Sequence, residues 1–286
     1  MARLTPASAG IFGWPIAHSK SPVIHRFWLG KLGIDGDYSR FPVSPEKLGA
    51  AVKALPAMGL RGVNVTVPHK QAVMAHLDRI DPLAEKIGAV NTVVVEDDGG
   101  LAGYNTDAAG FLEPLRPLLA ERHLYRIARI LGAGGASRAV AHALWSEGFD
   151  LVIAARDVGK ARSLRAEFDA EDNRCVDLAH FGAPTDFAFD DRKGILDLVV
   201  NTTPLGMKGQ PPLPFDFSHA PPGAVFYDAV YAPLETELLA GARARGHQVI
   251  DGLAMLIGQA ALAFELFYGA PAPRQFDAEL RAILTA

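Results

Sequence analysis

Leu131-Gly132-Ala133-Gly134-Gly135-Ala136-Ser137-Arg138 follows an apolar run, Ile127 to Leu131, and opens a segment of helical character from about Ala136 to Ser146. Gly132 permits a tight turn, and Gly134 lets the backbone come close to a pyrophosphate. The amides at the start of the helix then face the anion. Ser137 stands at the third position of the G-x-G-x-x-G pattern, so the glycines alone are a weak signal. Context strengthens it, because a second strand, Leu151 to Ala155, follows at the expected distance. The bland alternative is a strand–helix turn without a ligand. The βαβ reading is favoured, and Gly132, Ala133, Gly134, Gly135 and Ala136 become candidate cofactor contacts.

Cofactor choice is read at the end of that second strand, here Ala154-Ala155-Arg156-Asp157. An acidic residue there bonds the ribose hydroxyls of NAD, whereas arginine accommodates the 2′-phosphate of NADP. Both signals are present. Arg156 has the planar fork suited to phosphate, and Lys160 follows four positions later. NADP is expected, with NAD left open by Asp157. The competing role for Asp157 is to cap the next helix, which would leave Arg156 to the phosphate.

Downstream, strands are expected at Leu196 to Asn201, Ala224 to Asp228 and His247 to Ile250, with a helix over Thr236 to Arg245 between the last two. Upstream, Ile11, Phe12 and Ile16 belong to a first strand and its exit. Ser21-Pro22 and Ser44-Pro45 look like helix starts. Val23, Phe27, Ile24 and Trp28 are expected to be the buried face of the first of these helices, and Leu48, Val52 and Leu55 keep helical spacing in the second. Val63, Val65 and Val67 alternate with Asn64 and Thr66 as in a strand that Pro68 stops. A helix through Met74 and Leu77 is expected next. Asn91 to Glu96 and Leu101 to Tyr104 flank Asp97-Asp98-Gly99-Gly100 as a hairpin.

Alternating strands and helices predict an α/β protein with mainly parallel sheets. Two domains are expected. An N-terminal α/β substrate domain covers residues 1–107 and is completed by C-terminal helices over 252–286. A doubly wound, Rossmann-type dinucleotide-binding domain covers 108–251.

The composition sets outer bounds. Of 286 residues, 49% are hydrophobic and 21% charged, with a net charge of −4. That balance argues against a partner held mainly through a phosphate backbone, so no nucleic acid is expected. Cys175 is the single cysteine, which excludes an intrachain disulfide and fits a reducing compartment. No secretory leader is evident. The most apolar stretch, Gly252 to Tyr268, is interrupted by Gln259 and Glu265 and is short of a membrane span. A cytoplasmic enzyme without membrane association is expected. No His-Glu-x-x-His pattern or Cys/His cluster is present, so no metal is expected. His18 and His25 read as structural or hydrogen-bonding residues.

The first domain carries polar residues that a plain core would not need. Ser19 and Ser21 flank Lys20 beside a helix start that suits an anion. Asn64 and Thr66 share a strand face, ~7 Å apart at the usual strand rise, and Lys70 lies just beyond. Asn91 and Asn105-Thr106-Asp107 sit at other strand ends. Singly, each would more often be a cap or a solvated group.

Together they fall into motifs. Gly13-Trp14-Pro15-Ile16-Ala17-His18-Ser19-Lys20-Ser21-Pro22, with the later His25, resembles the N-terminal motif of shikimate dehydrogenases. So do Asn64-Val65-Thr66-Val67-Pro68-His69-Lys70, Gly88-Ala89-Val90-Asn91-Thr92 and Gly103-Tyr104-Asn105-Thr106-Asp107. The glycine turn, Asn201-Thr202-Thr203-Pro204-Leu205-Gly206-Met207, Asp251-Gly252-Leu253-Ala254-Met255-Leu256 and Gln259-Ala260 match later segments. The resemblance runs in order from about residue 11 to 269.

The resemblance implies reversible, NADPH-dependent reduction of 3-dehydroshikimate to shikimate in aromatic amino-acid biosynthesis. It implies that Ser19 and Ser21 bind the substrate carboxylate, with Tyr231 near it. Asn64, Thr66, Lys70, Asn91, Asp107 and Gln259 would hold the ring hydroxyls and the reacting oxygen. Lys70 and Asp107 would be catalytic, and Thr203, Ala229 and Gly252 would join the cofactor contacts. Where the family usually has Asn-Arg-Thr and a basic residue, this chain has Ala155-Arg156-Asp157 and Lys160. Ala229 stands where the family often has methionine. Two alternatives stay open. One is a quinate/shikimate enzyme with relaxed substrate or NAD use; the other is a non-catalytic ligand-binding relative. A monomer or homodimer, binding only small molecules, completes the expectation.

Overall fold

The computed structural model describes residues 7–168, 173–189 and 193–286. Two sheets organise it. The first contains β1 (Ala7–Gly13), β2 (Gly36–Pro42), β3 (Gly62–Val65), β4 (Arg79–Ile80), β5 (Thr92–Val95) and β6 (Leu101–Tyr104), in the order β2-β1-β3-β5-β6-β4. β1 runs parallel to β2 and β3, β5 is antiparallel to β3 and β6, and β4 is parallel to β6.

Side-chain alternation along β1 lets the chain cover both faces of this sheet. Ala9 and Ile11 pack with Tyr38, Ala263 and Phe267 on one face. Phe12 packs with Leu48, Val52, Val63 and Val73 on the other. The first group draws in the last helix turns of Gly252–Tyr268, and the second draws in the helix Leu48–Ala54.

The second sheet contains β7 (Tyr125–Leu131), β8 (Asp150–Ala155), β9 (Arg174–Asp177), β10 (Ile195–Asn201), β11 (Val225–Asp228) and β12 (Gln248–Ile250), in the order β12-β11-β10-β7-β8-β9. Every pairing is parallel. Two halves diverge from β7 and β10, so the glycine turn after β7 lies where the strand order reverses. Ligands of doubly wound sheets bind at that switch point.

Two compact units contain these sheets. One takes the chain up to Gly110 and again from Ile257 to Ala286, and the other takes Phe111–Leu256. The divisions fall a few residues beyond the expected 107/108 and 251/252. Each lies inside a continuous helix, Asp107–Leu112 or Gly252–Tyr268, so no loop marks the boundary.

Several local expectations need correction. β3 ends at Val65 and all four of its residues are buried, so Thr66 belongs to the following turn, where its carbonyl accepts the His69 amide. The helix Ser21–Leu32 is preceded by Lys20 at the cap, because Ser21 is already helical. Its buried face contains Ile24, His25, Trp28 and Leu29, while Val23 is exposed. The segment around Met74 forms a short 3₁₀ helix, Ala72–His76. No helix among the described residues is long and apolar enough to cross a membrane.

Candidate active site

In the first unit, the chain leaves β1 at Gly13, where any Cβ would come within 2.6 Å of Thr66 Cγ2. Half-buried Thr66 therefore packs directly on the start of the loop that ends in Ser19-Lys20-Ser21. The Ser19 hydroxyl donates to Ser21 Oγ over 3.2 Å and accepts from the Ser21 amide over 3.3 Å. Both serines are buried. Arg40, from β2, fixes this loop by donating Nε and Nη2 to the Ser19 carbonyl at 2.9 and 2.5 Å. Lys20 donates to the carbonyl of Leu284, which ties the loop to the C-terminal helix Asp277–Thr285.

Lys70 lies at the end of the turn after β3. The buried His69 ring bonds the Val43 carbonyl at 2.7 Å, and the Lys70 carbonyl accepts the Val90 amide at 2.8 Å. Thus fixed, Lys70 Nζ donates to Asp107 Oδ2 over 2.5 Å. Only 13% of the Lys70 side chain and 5% of Asp107's is exposed. Each charge thereby compensates for the burial of the other.

Asp107 is the first residue of its helix, and the preceding Asn105 stabilises the helix start. Its Oδ1 accepts from the Ala108 amide and its Nδ2 donates to the Ala89 carbonyl. Asn91 Nδ2 donates to Asp107 Oδ1 and to Thr106 Oγ1, both over 2.9 Å, and reaches Gln259 Oε1 at 3.4 Å. Gln259 comes from the long helix Gly252–Tyr268. That helix approaches so closely that a Cβ on Gly110 would lie 2.3 Å from the Gln259 nitrogen. Asn64 Nδ2 donates to the Asn91 carbonyl and to Thr92 Oγ1, and its Oδ1 accepts the Tyr38 hydroxyl over 2.6 Å. Burial pushes Tyr38 well above an ordinary phenol's range, so it remains a neutral donor.

Lys70, Asp107, Asn91, Asn64 and Gln259 therefore join one hydrogen-bonded group, and Ser19 and Ser21 form a second buried pair in the same unit. Three participants were not expected from sequence: Tyr38, Arg40 and Thr92. Thr92 lay within the Gly88–Thr92 motif, so a signal for it existed. Arg40 had none, being one of two charged residues in a strand where Tyr38 alone is buried. Tyr231 belongs to the second unit, in the segment after β11.

In the second unit, Gly132 has φ 129°, and a Cβ there would meet Thr202 Oγ1 at 2.4 Å. Glycine is required by both conformation and space. Ser137 explains the missing third glycine. Fully buried, its hydroxyl accepts from the Gly134 amide at 3.0 Å and pairs with Thr202 Oγ1 at 2.8 Å, closing the first turn of the helix Gly135–Ser146. A Cβ on Gly134, by contrast, would meet nothing within 4 Å. The turn thus leaves an open cradle beside a helix start, which fits the pyrophosphate of a dinucleotide. Ala133, Gly135 and Ala136 complete this cradle's backbone.

At the end of β8, Arg156 is exposed. Asp157 caps the helix Val158–Arg165 by accepting the Lys160 amide at 3.2 Å, with Lys160 Nζ 3.9 Å from its other oxygen. Its carboxylate thus has the local role that was weighed against ribose binding. Thr203 Oγ1 donates to Asn201 Oδ1 over 2.7 Å, and the Ala229 amide donates to the Asn201 carbonyl over 2.9 Å. Asn201 also donates to Asp228, whose carboxyl is pushed up to about 6 by burial. Gly252 presses on this same segment. A Cβ there would lie 2.4 Å from the Val230 carbonyl oxygen and 2.5 Å from that of Ala229. Among the described residues, no group of three or more His, Cys, Asp or Glu side chains could hold a metal ion.

Comparison with known proteins agrees with this layout. Residues 11–93 match the shikimate dehydrogenase substrate binding domain, and residues 252–276 match the shikimate 5′-dehydrogenase C-terminal domain. The shikimate dehydrogenase (NADP(+)) of Rhodospirillum rubrum is 48% identical over 279 residues, covering 96% of each chain. The structure of shikimate 5-dehydrogenase from Thermus thermophilus in complex with NADP(H) and shikimate aligns with a TM-score of 0.82 at 37% identity, covering 97% of this chain and 99% of that one. Quinate dehydrogenase from Corynebacterium glutamicum in complex with NAD aligns with a TM-score of 0.83 at 33% identity, covering 97% and 99%. With likeness of this degree along nearly the whole of both chains, this protein belongs to the shikimate dehydrogenase family.

Proposed function

We propose that this chain is an NADP-dependent shikimate dehydrogenase, reducing 3-dehydroshikimate to shikimate reversibly. The observation that carries the proposal is the buried Lys70–Asp107 ion pair at 2.5 Å, with Asn91 on the second carboxylate oxygen. Bound NADPH supplies the hydride. Ketone reduction leaves negative charge on the carbonyl oxygen, and Lys70 meets that charge with its ammonium group and delivers the proton that completes the alcohol. Asp107 holds Lys70 in place and accepts a hydrogen bond from a substrate hydroxyl. Asn64, Thr66, Asn91 and Gln259 orient the ring, while Ser19 and Ser21 receive the carboxylate.

Gly132 to Ala136 would hold the cofactor's pyrophosphate, and Arg156 with Lys160 its 2′-phosphate. Thr203, Ala229 and Gly252 would line the nicotinamide end. Asp157 argues little for NAD, because its carboxylate is engaged as a helix cap. Small molecules are the proposed ligands of a cytoplasmic monomer or homodimer.

The test follows nicotinamide absorbance for the wild type and Lys70→Ala, crossing shikimate and quinate with NADP and NAD. The expected result is strong wild-type turnover with shikimate and NADP, and a Lys70→Ala loss in kcat of about 100-fold or more, the lower end for a positioned proton donor. Wild-type turnover in the variant would remove Lys70 from the chemistry. Comparable quinate or NAD turnover would make the chain a broader quinate/shikimate enzyme. Ligand binding without turnover would make it a non-catalytic relative.

A further inference from the structure

We infer that Thr92 is a positioning residue for the reacting pair, acting through Asn91 on Asp107 and Lys70. The inference rests on the catalytic reading of Lys70 and Asp107 proposed above.

Its basis is the direction of a buried hydrogen-bond chain. Tyr38 donates its hydroxyl to Asn64 Oδ1 over 2.6 Å. That fixes the Asn64 amide with Nδ2 forward, donating to Thr92 Oγ1 over 2.9 Å. A hydroxyl has one proton, so Thr92, accepting from Asn64, passes its own proton onward. Asn91 Oδ1 receives it over 3.0 Å and also accepts the Thr106 amide over 2.8 Å. With its oxygen so engaged, Asn91 turns Nδ2 to Asp107 Oδ1 over 2.9 Å, leaving Asp107 Oδ2 for Lys70.

Tyr38 and Thr92 are fully buried, and Asn64, Asn91 and Asp107 are each 4% exposed or less. Water therefore has little access to replace a lost donor, and the cost of a missing link is felt along the chain. Without the Thr92 hydroxyl, Asn91 keeps only its bonds to Thr106 on the oxygen side, and nothing couples the two asparagine amides through their side chains. The Asp107 carboxylate then loses part of what sets its rotation, and with it the aim of Lys70. Mispositioning of a reacting group lowers turnover more than it lowers binding.

The experiment compares Thr92→Val, Thr92→Ala and Thr92→Ser with the wild type, with Lys70→Ala assayed in parallel. For each, kcat and KM for shikimate are measured from pH 6 to pH 10, and thermal midpoints are recorded. The expected result is a loss in kcat of about tenfold in both Thr92→Val and Thr92→Ala, with a smaller change in KM. A changed pH profile of kcat should accompany the loss, and Thr92→Ser, which keeps the hydroxyl, should return to within about twofold of wild type. A Thr92→Val or Thr92→Ala enzyme with wild-type kcat and pH profile, beside an inactive Lys70→Ala, overturns the positioning role and leaves the catalytic reading intact. So does a loss that Thr92→Ser fails to restore, since the hydroxyl would then not be its cause. Full turnover in Lys70→Ala overturns the catalytic reading and the positioning role with it.

Discussion

The imidazole of His25 lies flat on the ring of Tyr38, with centroids 4.0 Å apart and planes 7° from parallel, and neither of its nitrogens has a hydrogen-bond partner among the described residues. Trp28, Phe264, Phe267 and Tyr268 close around the same ring. A histidine sealed among aromatic rings is stable only as the neutral form, and burial lowers its pKa to about 3. The packing it provides supports the phenol that donates to Asn64.

Acid should therefore weaken the fold through His25. Between pH 6.5 and about 3, the unfolded chain binds a proton that the native chain refuses, so stability falls as pH falls through that window. By pH 5 the loss attributable to this one group is about 2 kcal/mol, from the ~1.4 kcal/mol per unit that links proton binding to folding. Asp228 works in the opposite sense. Its native carboxyl, raised to about 6 by burial, holds a proton that the unfolded chain releases, so acidification from above pH 6 towards 4 favours the native state. A His25→Phe variant isolates the first effect. Urea unfolding at pH 7 and pH 5 should show the variant gaining about 2 kcal/mol on the wild type at the lower pH. An unchanged gap would mean that His25 takes up its proton in the native fold.

Arg40 offers a different test, because it touches the serine pair only through a backbone carbonyl. Two donors on Ser19 hold the loop that presents both hydroxyls. Arg40 is itself largely exposed, so its contribution is discounted to about 1 kcal/mol. Arg40→Ala should raise KM for shikimate about fivefold. It should leave KM for NADP within twofold and change kcat little. An equal rise in both KM values would point to general loosening of the fold, and no rise in either would remove Arg40 from substrate binding.

What could be read from sequence follows from how each feature is encoded. β7, the glycine turn and β8 were legible because buried parallel strands are largely apolar, with Arg129 the one interruption between Ile127 and Leu131, and because the turn needs glycine at Gly132. β2 escaped notice because, in Gly36–Pro42, Tyr38 alone is buried, so no apolar run marks it. The strand reading of Thr66 overran the end of β3 because the Val63, Val65 and Val67 pattern continues beyond it: the Thr66 amide still donates to the Phe12 carbonyl, while its own carbonyl accepts the His69 amide in the turn that brings Lys70 round. Lys70 and Asp107 were visible through motif resemblance. Their separation of 2.5 Å, and the bonds that set it, depend on residues distant in sequence, and no spacing rule contains those. His25 was placed as structural, but its burial displaced Val23 from the expected helix face. Aromatic neighbours from the far C-terminal helix decide that, and they cannot be read from local periodicity.

Cofactor selection rests on Arg156 and Asp157, adjacent in sequence and opposite in meaning. Asp157 Oδ1 accepts the Lys160 amide, the bond of a helix cap, whereas Arg156 is exposed beside it. If the cap is the whole role of Asp157, Asp157→Ser should preserve both the helix and the preference for NADP over NAD, because serine caps as well as aspartate. Asp157→Ala should cost about 1 kcal/mol of stability, read as a lower thermal midpoint, with the same cofactor preference. Arg156→Ala should raise KM for NADP about 10- to 100-fold, the range for losing charged hydrogen bonds to a phosphate, while KM for NAD stays within a few-fold. Steady-state assays of the three variants with both cofactors decide the matter. If Asp157→Ser instead loses NAD turnover selectively, the carboxylate bonds the ribose and the cap is secondary. If Arg156→Ala leaves KM for NADP unchanged, the phosphate is held elsewhere, and Lys160, four positions on and 72% exposed in its side chain, is the next residue to change.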